Sequence, residues 1–163
     1  MEWPHDNNAS LIAFYGDPGS RVFAQNLVPL TPPWQMSYRN DAGKITPVRH
    51  FVVHRKCFDA FTRAFAAIWQ FYGENQRRIE SENLHWFGGC YAQRFVRGST
   101  AKLSTHAFAA AIDLDPEHNP MNRLHVSRMP QAAIDAFKSE GATWGGDFRT
   151  RQDPMHFQFA KET

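Results

Sequence analysis

Two short segments constrain what this chain can fold into: Ser104-Thr105-His106 running on to Asp113, and Asp153-Pro154-Met155-His156. Together they supply two imidazoles, one carboxylate to match them and one carboxylate to spare. Two histidines and one acid are a donor set for a catalytic zinc ion, because three protein ligands leave a fourth tetrahedral position open, whereas structural zinc sites close the shell, mostly with cysteine. A fold that uses this set must bring two distant stretches together.

Geometry restricts the first segment further. If His106 to Asp113 were fully extended, seven steps of about 3.3 Å would set the two residues more than about 20 Å apart, far too distant to share an ion. The chain must turn back between them, and the small side chains of Ala107, Ala109, Ala110 and Ala111 make that turn easy. An odd separation also puts the two on opposite faces of a regular strand, so His106 should lie in the turn and Asp113 on the strand. Taken alone, His106 can equally be read as a surface histidine and Asp113 as an ordinary strand-end acid. Asp153-Pro154 alone is as well explained by a plain turn.

A chain of 163 residues is one domain of ordinary size, 1–163, able to bury a core without disulfide staples. With fourteen Phe and five Trp it has the apolar bulk for that core. A net charge of only +2, with Lys and Arg scattered along the sequence, gives little support for a grip on nucleic acid. The start carries no basic end followed by an apolar stretch, so we expect no export signal, and no apolar run reaches the length of a membrane span. Cys57 and Cys90 form no CxxC pair and are too few for a disulfide scaffold; buried thiols are the simplest reading, with a disulfide or a peripheral role as alternatives.

Residues 1–50, rich in Pro, Gly and Asn, read as loops with one or two short strands packed on the core. From His54 to Tyr72, Phe58, Phe61, Phe65, Ile68 or Trp69, and Tyr72 recur at three and four, which predicts a helix with one buried face. Phe87–Arg97 and Ala109–Leu114 read as strands, Pro130 to Gly141 as a second helix, and Met155–Phe159 as a closing strand. Few, closely joined strands exclude a doubly wound parallel sheet, and an α+β domain with a small antiparallel sheet flanked by helices is expected. His118 and His125 fall in a polar loop and read as solvated, Asp115 before Pro116 reads as a turn former, and His54 as a capping or packing residue.

Ser104, His106, Ala109, Ala111 and Asp113 stand where the pattern SxHxxGxAxD has its key positions, and Asp153 and His156 follow as an acid-x-x-His element after Trp144-Gly145-Gly146-Asp147-Phe148. In this, residues 88–159 resemble the zinc peptidases of peptidoglycan. These include VanY-type D-alanyl-D-alanine carboxypeptidases and the L-alanyl-D-glutamate endopeptidases of phage endolysins, with a fold shared by Hedgehog-type domains. The resemblance implies zinc held by His106, Asp113 and His156, and Asp153 as the general base that takes a proton from the attacking water. It implies an arginine for the developing oxyanion, Arg94 first and Arg97 second, with Ser104 and Arg97 toward the substrate; Trp144 can line the substrate cleft or equally pack in the core.

The implied substrate is a peptidoglycan stem peptide, cut at either L-Ala-D-Glu or a terminal D-Ala-D-Ala bond. Arg94, Arg97 or Arg123 could meet its carboxylate. A monomer, made in the cytoplasm and acting on the wall after release, is expected. Ala109 departs from the pattern's glycine, and a positive φ there would cost on the order of 1 kcal/mol. Two other classes compete: a zinc-holding module of the same fold without catalysis, and a metal-dependent nuclease, which the lack of clustered basic residues disfavours.

Overall fold

Asn7 starts the first helix: its side-chain oxygen accepts the Ser10 amide, satisfying a donor that a helix N-terminus leaves free, and Gly16 ends the helix at a φ of 95°. This helix, α1, covers Asn8–Tyr15. Ser20 does the same for the single turn α2, Arg21–Ala24, by accepting from Phe23 N–H at 3.1 Å. The computed structural model describes residues 2–121 and 127–162; Arg123 and His125 lie outside them.

Strands β1 (Leu27–Leu30), β2 (Met36–Arg39), β3 (Ile45–Val48) and β4 (Phe51–His54) follow, β1 paired with β4 and β2 with β3 in separate antiparallel pairs. The first fifty residues are therefore more ordered than their composition suggests. Pro29 lies inside β1 and Pro47 inside β3, which is tolerated because every strand of a two-stranded sheet has a free edge and a missing N–H can face outward. Trp3, Leu11, Tyr15, Phe23, Leu30, Trp34 and Met36 from this region are buried in the same cluster as the later core.

A short 3-10 turn, Arg55–Cys57, leads into α3, Phe58–Phe71. The helix starts later than the apolar spacing predicts, because His54 belongs to β4 and caps the turn: its Nδ1 accepts from Lys56 N–H at 3.1 Å while Nε2–H donates to the Tyr15 carbonyl at 3.0 Å. Phe61, Phe65, Ile68 and Tyr72 of the predicted face are buried, joined by Ala60 and Ala64, while Phe58 is half-buried. Helix α4 (Gln76–Ser81) and strand β5 (Phe87–Gly89) come next, then a 3-10 turn (Thr105–Phe108) and strand β6 (Ala111–Leu114). Helix α5 (Gln131–Ser139), strand β7 (Thr143–Trp144), a 3-10 turn (Gly145–Asp147) and strand β8 (His156–Gln158) complete the chain.

The last four strands form one antiparallel sheet in the order β5-β6-β8-β7. Helices α3 and α5 cover one face: Phe137 of α5 stacks on Phe157 of β8 at 4.4 Å and meets Phe61 and Phe65 of α3 edge-on. Strand alternation turns His156 and Gln158 the other way, which puts the polar residues of β8 opposite the aromatic layer. Mixed helices and small antiparallel sheets make an α+β architecture.

The expected strand Phe87–Arg97 is corrected to three residues. Gly89, at a φ of 138°, breaks the register with β6, and the chain then runs irregularly until Phe95 bridges Leu103 across a bend at Gly98.

Candidate metal centre

His106 sits in the turn and Asp113 on the strand, as the odd spacing requires. Asp113 of β6 and His156 of β8 are direct register partners, so the sheet itself sets one ligand against the other. His106 arrives from the Thr105–Phe108 turn, capped by Ser104, whose Oγ accepts from His106 N–H at 3.3 Å. The turn returns the chain to β6 through Ala109, fully buried and left-handed at φ 51° and ψ 33°. Here the departure from glycine becomes concrete, since a Cβ in that region costs roughly 1–2 kcal/mol.

The three donor atoms form a small triangle. His156 Nδ1 lies 2.9 Å from Asp113 Oδ1, His106 Nε2 lies 3.2 Å from His156 Nδ1, and His106 Nε2 lies 3.3 Å from Asp113 Oδ1. A tetrahedral ion with bonds of about 2.0–2.2 Å separates its ligand atoms by about 3.3 Å or slightly more, so this triangle fits one face of a zinc shell with little adjustment. Among the described residues this is the one group of three or more His, Cys, Asp or Glu side chains close enough to hold an ion.

Outer contacts fix both rings. The His106 Nδ1–H donates to the Cys90 carbonyl at 2.7 Å, and the other nitrogen of His156, Nε2, faces Gln158 Oε1 at 3.0 Å. Burial works to raise the Asp113 carboxyl, but His106 and His156 overcome it and hold the group well below the usual carboxylate range. Burial likewise works to lower His156, yet Asp113 and Asp153 prevail and raise it above its ordinary value. A divalent ion can replace the protons that hold such a cluster together.

Asp153 is the spare acid. It is 9% exposed, and its Oδ1 is buried with no hydrogen-bond partner among the described residues. Leaving such an acceptor unpaired costs roughly 1–3 kcal/mol, so the site is built to receive a donor there. Burial, helped by the charge of Asp113, lifts its carboxyl above the ordinary value, while His156, His106 and Arg94 pull the other way.

Asp153, His106 and His156 line a cleft of about 460 Å³ whose wall also includes Arg94, Arg97 and Ser104. Lys102, Arg149 and Arg151 line the same cleft beside Asp6 and Glu162, Lys102 pairing with Asp6 at 2.8 Å, a basic excess that the scattered charges of the sequence did not reveal. The signal available was the pair Arg149 and Arg151 closely preceding Asp153.

Trp144 is not among the lining residues. Its indole N–H donates to the Pro154 carbonyl at 2.8 Å, bracing the Asp153-Pro154 turn from behind. Asp115 is a turn residue away from the donor triangle, at a φ of 45°. His118, expected in solvent, is half-buried because its Nδ1–H donates to Asp115 Oδ1 at 2.7 Å. Asp147 pairs with Lys138 at 2.6 Å. Cys57 and Cys90 are buried free thiols, the first pushed up to about 12 by burial.

Residues 97–159 match the family model for D-alanyl-D-alanine carboxypeptidase. The stretch matched to the carboxypeptidase family holds Arg97, Ser104, the three donors, Trp144 and Asp153; Arg94 lies just before it. The chain is also similar, at 27% identity over 86 residues, to two proteins of Shewanella baltica, from strains OS155 and OS195. Both are named 2-succinyl-5-enolpyruvyl-6-hydroxy-3-cyclohexene-1-carboxylate synthase. That likeness covers 50% of this chain and only 15% of each relative. No solved structure matches.

Proposed function

We propose that this chain is a zinc-dependent peptidase of peptidoglycan stem peptides. The reading rests above all on Asp153, whose buried Oδ1, without a hydrogen-bond partner among the described residues, shares a cleft with a donor triangle of zinc dimensions. The family match to residues 97–159 supports it.

When bound, the ion would be held by His106 Nε2, Asp113 Oδ1 and His156 Nδ1, and would supply Lewis acidity to the scissile carbonyl and to water. Asp153 Oδ1 takes a proton from the attacking water as its oxygen adds to the carbonyl carbon. It then passes that proton to the leaving nitrogen as the C–N bond breaks, giving a carboxylate and an amine. Arg94, exposed on the cleft wall, donates hydrogen bonds to the oxygen on which negative charge develops. Arg97, Arg149 and Arg151 offer forked donors to the acidic groups of a stem peptide.

In this reading the protein acts as a monomer, is made in the cytoplasm and reaches the wall on release, as a phage endolysin does. The test is digestion of purified peptidoglycan by the zinc-loaded protein, with mass spectrometry of the soluble fragments. New L-Ala or D-Glu termini identify the endopeptidase, loss of a terminal D-Ala alone identifies the carboxypeptidase, and absence of product from folded, zinc-bound protein refutes the peptidase reading.

A further inference from the structure

Gln158 takes no part in the chemistry above, yet it is only 2% exposed and both ends of its amide are engaged. Its Nε2 donates to the Ala160 carbonyl at 3.3 Å, and because a carbonyl oxygen can only accept, this bond decides which way the amide faces. Oε1 is thereby turned toward His156 Nε2 at 3.0 Å, and the Thr105 hydroxyl donates to it at 3.1 Å. An amide oxygen has no proton to give. A neutral His156 must then carry its proton on Nε2, which leaves the lone pair on Nδ1, the atom 2.9 Å from Asp113 Oδ1 and 3.2 Å from His106 Nε2. With the amide reversed, the proton would move to Nδ1 and the ring would point an N–H at the two other ligands.

We infer that Gln158 is a positioning residue that selects the metal-binding tautomer of His156, with the Thr105 hydroxyl as its brace. The inference rests on the metal reading of the donor triangle. Its place in the fold supports it: Gln158 follows His156 by two residues on β8 and so shares its face, while Thr105 belongs to the turn that carries His106. The contact therefore ties the orientation of one histidine to the backbone that presents the other. For His106 the Cys90 carbonyl does the equivalent work and cannot be removed by substitution. Gln158 can.

The test is zinc affinity, read by competition with a chromophoric chelator, together with the visible spectrum of the cobalt-substituted protein. Gln158→Leu should bind zinc about ten- to a hundredfold more weakly, the usual cost of losing such an outer partner, and should alter the cobalt bands. Gln158→Glu keeps an acceptor at the same reach and should match or exceed wild-type affinity. A residue that merely fills space would give the reverse order, since leucine fills the site and glutamate buries a charge. Thr105→Val should fall between wild type and Gln158→Leu.

Wild-type affinity in folded Gln158→Leu, or a Glu variant no better than Leu, overturns the inference. If the leucine variant does not fold, Gln158→Glu decides alone, a tenfold loss counting against the assignment and retained affinity for it. Failure of the wild-type protein to bind zinc would overturn the metal reading and this inference together, whereas a binding wild type with unaffected variants overturns only the second.

Discussion

Gly145 lies so close to Asp153 that a Cβ at position 145 would overlap the Asp153 carbonyl oxygen and stand 3.1 Å from its Cβ. The Gly145 carbonyl in turn accepts the Asp153 amide at 2.9 Å, so the proposed base is held by backbone on the side away from the cleft. Gly145→Ala should move the acid as well as strain the fold. We expect a stability loss of about 1–3 kcal/mol in urea titrations, typical of overpacking, and at least a tenfold loss of hydrolysis in protein that still binds zinc. Full activity in this variant would show that the position of Asp153 is not critical.

Asp153→Asn preserves size and removes the proton acceptor. Zinc stoichiometry should stay at wild-type level while peptide hydrolysis falls by about two to four orders of magnitude, the range for loss of a general base. Isothermal titration with zinc and a fragment-release assay separate the two effects, and near-normal turnover would transfer the role to another group.

Arg149→Ala combined with Arg151→Ala removes two exposed cations from the cleft wall and leaves the donor triangle untouched. KM for an acidic stem peptide should rise about three- to tenfold with kcat little changed, as expected for exposed charge pairs, and the rise should shrink in high salt. An unchanged KM would mean that these guanidiniums do not face the substrate.

Ala109→Gly sets two opposing effects against each other. Glycine relieves a left-handed strain of roughly 1–2 kcal/mol, but it forfeits a fully buried methyl worth about 0.8 kcal/mol and adds freedom to the unfolded chain worth about 0.4–1 kcal/mol. The two sides nearly cancel, so the net change in stability should stay within about 1 kcal/mol, and zinc affinity should not change. A large shift of either sign in a denaturation series would show that the methyl itself shapes the His106 turn.

Burial pushes His54 down to about 4, against the opposing hydrogen bond to the Tyr15 carbonyl. The unfolded chain, with an ordinary imidazole near 6.5, therefore takes up a proton that the folded protein refuses between those two values. Stability from this residue is complete above about pH 6.5 and is lost as pH falls toward 4, by on the order of 2–3 kcal/mol. Urea titrations with a metal chelator present should show that slope in wild type and a shallower one in His54→Asn. Equal slopes would assign the effect elsewhere.

The donor triangle was legible because two segments far apart in the chain together resemble one zinc-peptidase pattern, and because an odd interval forces His106 and Asp113 into different local structures. The buried face of α3 was legible from its Phe spacing. Local features of the chain hid the rest. Proline in β1 and β3 disguised two strands that tolerate it only through their free edges, and Gly89 cut short a strand whose alternation looked continuous. Arg94 and Arg97 were singled out in the sequence, but Lys102, Arg149 and Arg151 were not, because the cleft wall joins two loops that only the fold brings together. For Trp144 the sequence left cleft lining and packing equally open, and its indole N–H donates to the Pro154 carbonyl, bracing that turn.

Asp113 and His156 face each other in one antiparallel register, and side chains alternate along both strands. A slip of a single residue would carry Asp113 to the aromatic side and leave Ile112 or Leu114 opposite the imidazole. The ion would then have nowhere to sit. In the zinc reading, metal affinity would thus report strand alignment, because only the native frame sets the aspartate against the imidazole.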